Sequence, residues 1–75
     1  MTTVNVIPPA SVRLTRREAE ILALIVEGKP TKEVADKLFI SKSTVDFHMA
    51  NVYEKLQVKS RVQAYRKAIQ LGLVD

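Results

Sequence analysis

Apolar and polar positions repeat with a helical period in four stretches of this chain, and the clearest is Ser41–Leu56. At about 100° of rotation per residue, Val45, Met49, Val52 and Leu56 fall in one narrow sector. Ser43, Phe47, Ala50 and Glu54 fall on the opposite side, flanked by Asp46 and Asn51. The first set is a stripe for burial. The second mixes small, polar and aromatic groups without a solubilising run of lysine and glutamate, which suits a face that reads a partner.

The other stretches brace this one. Thr15-Arg16-Arg17-Glu18 is a capping box, with the threonine hydroxyl and Glu18 satisfying each other's backbone N–H groups, and Leu14 stands where a hydrophobic staple would lie. Ile21, Leu22 and Ile25 then follow at helical spacing, with Gly28 as a natural stop. The wholly apolar run Ile21–Val26 also has the look of a buried strand; the cap and the glycine favour a helix. Thr31 is expected as the N-cap of a helix of barely two turns whose Val34, Ala35 and Leu38 face inward, Phe39-Ile40 as a turn with apolar anchors, and Ser41 as a third N-cap. A short helix, a tight turn and a longer helix make a helix-turn-helix layout. After Gln57-Val58-Lys59, Ser60 caps a last helix ending at Gly72.

That last helix carries two apolar stripes: Val62, Tyr65 and Ile69 on one side, Ala64, Ala68 and Leu71 nearly opposite. One stripe suffices for a surface helix. The small alanines suit packing inside the domain, so the Val62/Tyr65/Ile69 face is expected to meet a second copy; a fully wrapped terminal helix is the alternative. The pattern thus predicts an all-α, compact four-helix domain over residues 13–75, with helices at about 16–27, 32–38, 42–56 and 61–71. Residues 1–12 have no periodicity and contain Pro8-Pro9, which favours an extended tail or linker.

Composition narrows the partner. A chain of 75 residues buries only about 60–65% of its unfolded surface, and with no cysteine neither a disulfide nor a thiolate metal site reinforces it. Self-association is a plausible supplement. The absence of cysteine fits a cytoplasmic setting, and no apolar run approaches the roughly 20 residues of a membrane span, so no membrane partner is expected. Twelve Lys and Arg against eight Asp and Glu give a net charge of +4, compatible with a polyanion. There is no nucleophile–base pair, glycine-rich phosphate loop or metal cluster. The chain is therefore not expected to be an enzyme, nor to hold a cofactor, a metal or a small-molecule ligand.

The stretch from Leu14 to Ala64 resembles the LuxR/FixJ/GerE-type DNA-binding domain of bacterial transcription regulators. The resemblance rests on Leu14-Thr15 with Arg17-Glu18, Gly28, Lys32-Glu33-Val34-Ala35, Ile40-Ser41, Ser43-Thr44-Val45, His48, Lys55-Leu56, Val58, Ser60-Arg61 and Ala64, at fixed spacing and without a gap. It implies double-stranded DNA as the partner, a cytoplasmic protein that joins the nucleoid when bound, and RNA polymerase as a candidate contact. It also implies a homodimer through the fourth helix. By the same resemblance Asp46, Phe47 and Ala50 read base edges, and Thr31, Lys32, Lys42, Ser43 and Thr44 touch phosphate. Free N–H groups and positive dipole ends at helix N-termini agree with the phosphate assignments. Such a domain occurs at the end of a NarL/FixJ-type response regulator or as a stand-alone GerE-like regulator.

The chain departs from the family at the reading face, where a lysine or other polar donor is usual at position 46 and a longer polar or basic residue at position 50. Asp46 is repelled by phosphate and cannot donate to guanine, but it can accept from a cytosine amino group, and Phe47 and Ala50 suit a thymine methyl. Over Lys42–Leu56 two basic residues cancel two acidic ones, so affinity is expected to lean on Lys29, Lys32 and Arg61. A protein-interaction module on a helix-turn-helix scaffold is the alternative function. His48, at the edge of the buried stripe, is expected as a hydrogen-bonded core histidine, and Tyr53 and Tyr65 as packing residues.

Overall fold

A computed structural model describes residues 13–73; the tail or linker expected over residues 1–12 lies outside them. Four α-helices follow in order: α1 (Arg16–Val26), α2 (Thr31–Leu38), α3 (Lys42–Leu56) and α4 (Arg61–Gln70). The expected boundaries hold to within one residue. Helix α3 is the centre of the fold and packs against each of the other three, while α1 and α2 also pack on one another.

The core is the set of stripes read from the pattern. Ile21, Leu22 and Ile25 of α1, Val34 and Ala35 of α2, Val45, Met49, Val52 and Leu56 of α3, and Ala68 of α4 form one buried cluster. Leu14, Leu38, Ile40, Tyr53, Val58, Leu71 and Leu73 close it from the edges. Ala64 and Ala68 are fully buried, whereas Val62, Tyr65 and Ile69 remain 59%, 44% and 43% exposed. The alternative of a fully wrapped terminal helix is thereby overturned: the core absorbs the alanine stripe and leaves the other uncovered.

Three of the four N-termini are closed by side chains. Glu18 N–H donates to Thr15 Oγ1 at 3.1 Å and Thr15 N–H donates to Glu18 Oε1 at 2.9 Å, which is the capping box. Thr44 N–H donates to Ser41 Oγ at 3.1 Å, and Gln63 N–H donates to Ser60 Oγ at 3.2 Å. Helix α2 corrects the expectation for Thr31. Pro30 occupies the N-cap position with extended backbone and Thr31 is already helical, so α2 has no side-chain cap. The proline ring fixes φ near the value an N-cap takes, and Val34 N–H donates to Pro30 O at 3.1 Å, so the helix starts one residue early.

All four C-termini end in one way. Gly28, Phe39, Gln57 and Gly72 have positive φ (95°, 60°, 60° and 72°), and the next N–H in each case reaches back five residues to a helix carbonyl. Lys29 reaches Leu24, Ile40 reaches Ala35, Val58 reaches Tyr53 and Leu73 reaches Ala68, at 3.3, 3.0, 2.9 and 2.8 Å. This is the Schellman closure, and the hydrophobic contact that accompanies it is supplied by Ile40, Val58 and Leu73 against the core. It also corrects Phe39, expected as an anchor of the turn. The left-handed residue turns its side chain out, so Phe39 is 93% exposed and Ile40 alone anchors.

A half-buried ion pair fastens α3 to α1. Glu18 is 3% exposed, and Lys55 Nζ donates to its Oε1 at 2.7 Å. Burial alone raises the pKa of this carboxyl. The hydrogen bond from Lys55, the Thr15 backbone N–H, the Lys55 charge and the Thr15 hydroxyl outweigh burial and hold it below the ordinary carboxylate value.

Candidate nucleic-acid interface

The face of α3 opposite its buried stripe is open. Ser43, Asp46, Phe47, Ala50 and Glu54 are exposed, and Phe47, at 64%, is among the most exposed large apolar side chains. The Ser41 hydroxyl that caps α3 also lies 3.0 Å from Ser43 Oγ and 2.8 Å from Thr44 Oγ1. Three hydroxyls thus gather at the positive end of the helix, where an anion is favoured.

Asp46, Ala50 and Thr31 share the wall of a surface concavity of about 200 Å³, together with Ile25, Met49, Tyr53 and Arg61. It joins the first residues of α2 and α4 to one side of α3. Phe47 and the residues Lys42, Ser43 and Thr44 are not part of it. Asp46 and Ala50, expected on the reading face, and Thr31, expected at phosphate, are joined here to Tyr53, which the sequence pattern leaves as a packing residue. The signal was available as the i, i+4, i+7 spacing of Asp46, Ala50 and Tyr53.

The cations expected to supply affinity are deployed unequally. Lys29 Nζ lies 3.6 Å from Glu27 Oε1, and Arg61 Nη1 donates to Lys29 O at 3.4 Å. Lys32 is exposed and has no ion-pair partner among the described residues. On the open face of α3, Lys42 Nζ stands 3.4 Å from Asp46 Oδ2. His48 departs from its expected role: its buried Nδ1 has no hydrogen-bond partner, and its ring meets Phe47 edge-on at 5.7 Å. The ring lies half-buried at the edge of the core.

Among the described residues no group of His, Asp and Glu is placed to hold a metal, and no helix is long and apolar enough to cross a membrane. What the surface offers is hydroxyls, backbone N–H groups and cations beside the exposed Phe47 and Ala50.

The sequence profile of the family described as bacterial regulatory proteins, luxR family, matches residues 12–68. The chain is similar to the spore germination protein GerE of Bacillus subtilis (strain 168), at 48% identity over 62 residues that cover 83% of this chain and 84% of that protein. It is also similar to the transcriptional regulatory protein LiaR of the same organism, at 50% identity over 95% of this chain but only 33% of that protein. A solved structure of the transcription factor GerE superposes with a TM-score of 0.78 and 40% identity, over 83% of this chain and 92% of that one. The response regulator ChrA, from a heme-sensing two-component system, gives a TM-score of 0.79 and 41% identity, over 81% of this chain and 30% of that one. The chain thus spans most of GerE and about a third of the longer regulators.

Proposed function

The chain belongs to the luxR family of bacterial regulatory proteins, and from that premise we propose that it binds double-stranded DNA sequence-specifically, with α3 in the major groove. The observation that carries this is the division of α3 itself. One face is wholly buried, while Asp46, Phe47 and Ala50 stand out from the domain on the other. These three are the base-reading residues of the proposal. Thr31, Lys32, Ser43 and Thr44 take phosphate, a reading supported by the uncapped N-terminus of α2 and by the hydroxyls at the start of α3. Lys42 stands beside them.

The uncovered Val62/Tyr65/Ile69 stripe is the proposed homodimer contact, because it is the apolar surface of α4 that the core leaves open. A dimer through α4 places two recognition helices about one helical turn, roughly 10 bp, apart. Residues 13–75 form the DNA-binding unit of this proposal, acting in the bacterial cytoplasm on the nucleoid, with residues 1–12 as tail or linker.

A binding titration of mixed genomic duplexes across salt concentrations tests the reading. Affinity should fall with a log–log slope of about −0.9 per neutralised phosphate. No shifted band at low salt would instead support a protein-interaction module, whose most suitable surface is the exposed Phe47.

A further inference from the structure

The Lys42–Asp46 pair has little to offer the helix that carries it. Lysine in the first turn opposes the helix dipole, and a cation four residues before an anion is the weaker order for such a pair. Both side chains are mostly exposed, at 65% and 57%. Yet they sit one turn apart on a single face, with the ammonium 3.4 Å from the carboxylate, and that face is the one bearing the proposed base-reading residues.

An isolated carboxylate brought to the major groove is repelled by the phosphates on either side. Paired with Lys42 the unit is neutral, and it presents one acceptor beside one cluster of donors. A base pair shows the inverse pattern when a donor and an acceptor adjoin on its major-groove edge. In G·C the cytosine N4 amino group adjoins guanine O6, separated by the length of an N–H···O hydrogen bond, about 2.9 Å, close to the spacing of the ion pair. In A·T the adenine amino group lies between two acceptors, N7 and O4, so a carboxylate there faces repulsion from both sides, and the thymine methyl crowds O4. In G·C the amino group has an acceptor on one side only, and guanine offers the ammonium O6 and N7 together.

We propose that Lys42 and Asp46 act as one selector for a single G·C pair in each half-site, Asp46 accepting from cytosine N4 and Lys42 donating to guanine O6 or N7. The proposal rests on the reading that α3 enters the major groove. It moves Lys42 from the phosphate set to the base-reading set.

The test selects bound duplexes from a randomised library with the full chain and with its D46A, K42A and F47A variants, then measures affinity for single-base variants of the preferred site. The expected result is one invariant G·C step per half-site. Replacing that step should weaken binding of the parent chain about 5- to 150-fold, and both D46A and K42A should lose this discrimination while keeping preferences elsewhere. A D46A variant that still demands G·C overturns the proposal. So does a K42A variant that weakens all sequences alike and lowers the salt slope by about one, the mark of a phosphate contact. If either occurs while F47A changes preference at another step, α3 still reads the groove. If none of the three variants changes any preference, that reading falls too.

Discussion

At the C-terminal end of α3 the Lys55 ammonium lies 2.7 Å from the Glu18 carboxylate; at its N-terminal end the Lys42 ammonium lies 3.4 Å from that of Asp46. The chemistry is the same and the surroundings are opposite. Glu18 is almost out of water, and one of its oxygens also accepts from Thr15 N–H, so the pair is joined to the cap of α1 and holds two helices together across 37 residues of chain. Asp46 faces solvent and its partner is one turn away on its own helix. A pair anchored in the scaffold is held in place by its surroundings, whereas a pair on the surface can exchange partners at little cost. Helix α3 is therefore pinned at one end and free to negotiate at the other.

The contrast is tested most severely at Glu18. Glu18→Ala removes the cap reciprocity and the anion beside Lys55, and unfolding stability should fall by about 1–2 kcal/mol in urea denaturation. A loss below about 0.5 kcal/mol would put this pair in the same class as the exposed one. A smaller effect follows from acid. Because the folded pKa of Glu18 is depressed, its stabilisation is fully present above the unfolded carboxylate value of about 4.3. It declines as pH falls below that value and through the folded pKa. Urea midpoints should drop across this window more steeply in the parent chain than in Glu18→Gln, and parallel curves would refute the linkage. The smallest change belongs to the exposed pair: Lys42→Ala or Asp46→Ala should alter stability by no more than about 0.5 kcal/mol, by the same measurement.

Much of this architecture was legible because it is local. The capping box, the caps at Ser41 and Ser60, the buried stripe of α3 and the two-sided α4 all depend on residues within a turn or two of one another, and each reappears in the structure. The misreadings are local as well, but they concern backbone rather than side chains. Thr31 was passed over as a cap because Pro30 already has suitable dihedrals, and Phe39 was turned outward by a positive φ that no glycine announces. The Glu18–Lys55 pair was invisible for a different reason: nothing in a linear pattern says that the end of α3 returns to the start of α1. At the reading face, Asp46, Phe47 and Ala50 were placed on an open surface, as they are. The proximity of Lys42 to Asp46 was implicit in their i, i+4 spacing, but the concavity that Asp46 and Ala50 share with Tyr53 and Arg61 needed three helices to be assembled.

The repeated left-handed closures leave connectors of only four, three and four residues, at positions 27–30, 39–41 and 57–60. Each is already committed to its own backbone hydrogen bond. Such joints have no slack to give. The direction in which α3 leaves α2 is set at Phe39 by a single pair of dihedrals and tightened by Ile40 beneath it, so the helix cannot swivel on its mounting to accommodate a misaligned site. If α3 enters the major groove as proposed, a molecule built this way acts as a rigid gauge, and a duplex whose groove is too wide or too narrow must itself be deformed to fit. On that reading, the deformability of the DNA, as well as its base sequence, would enter the selection.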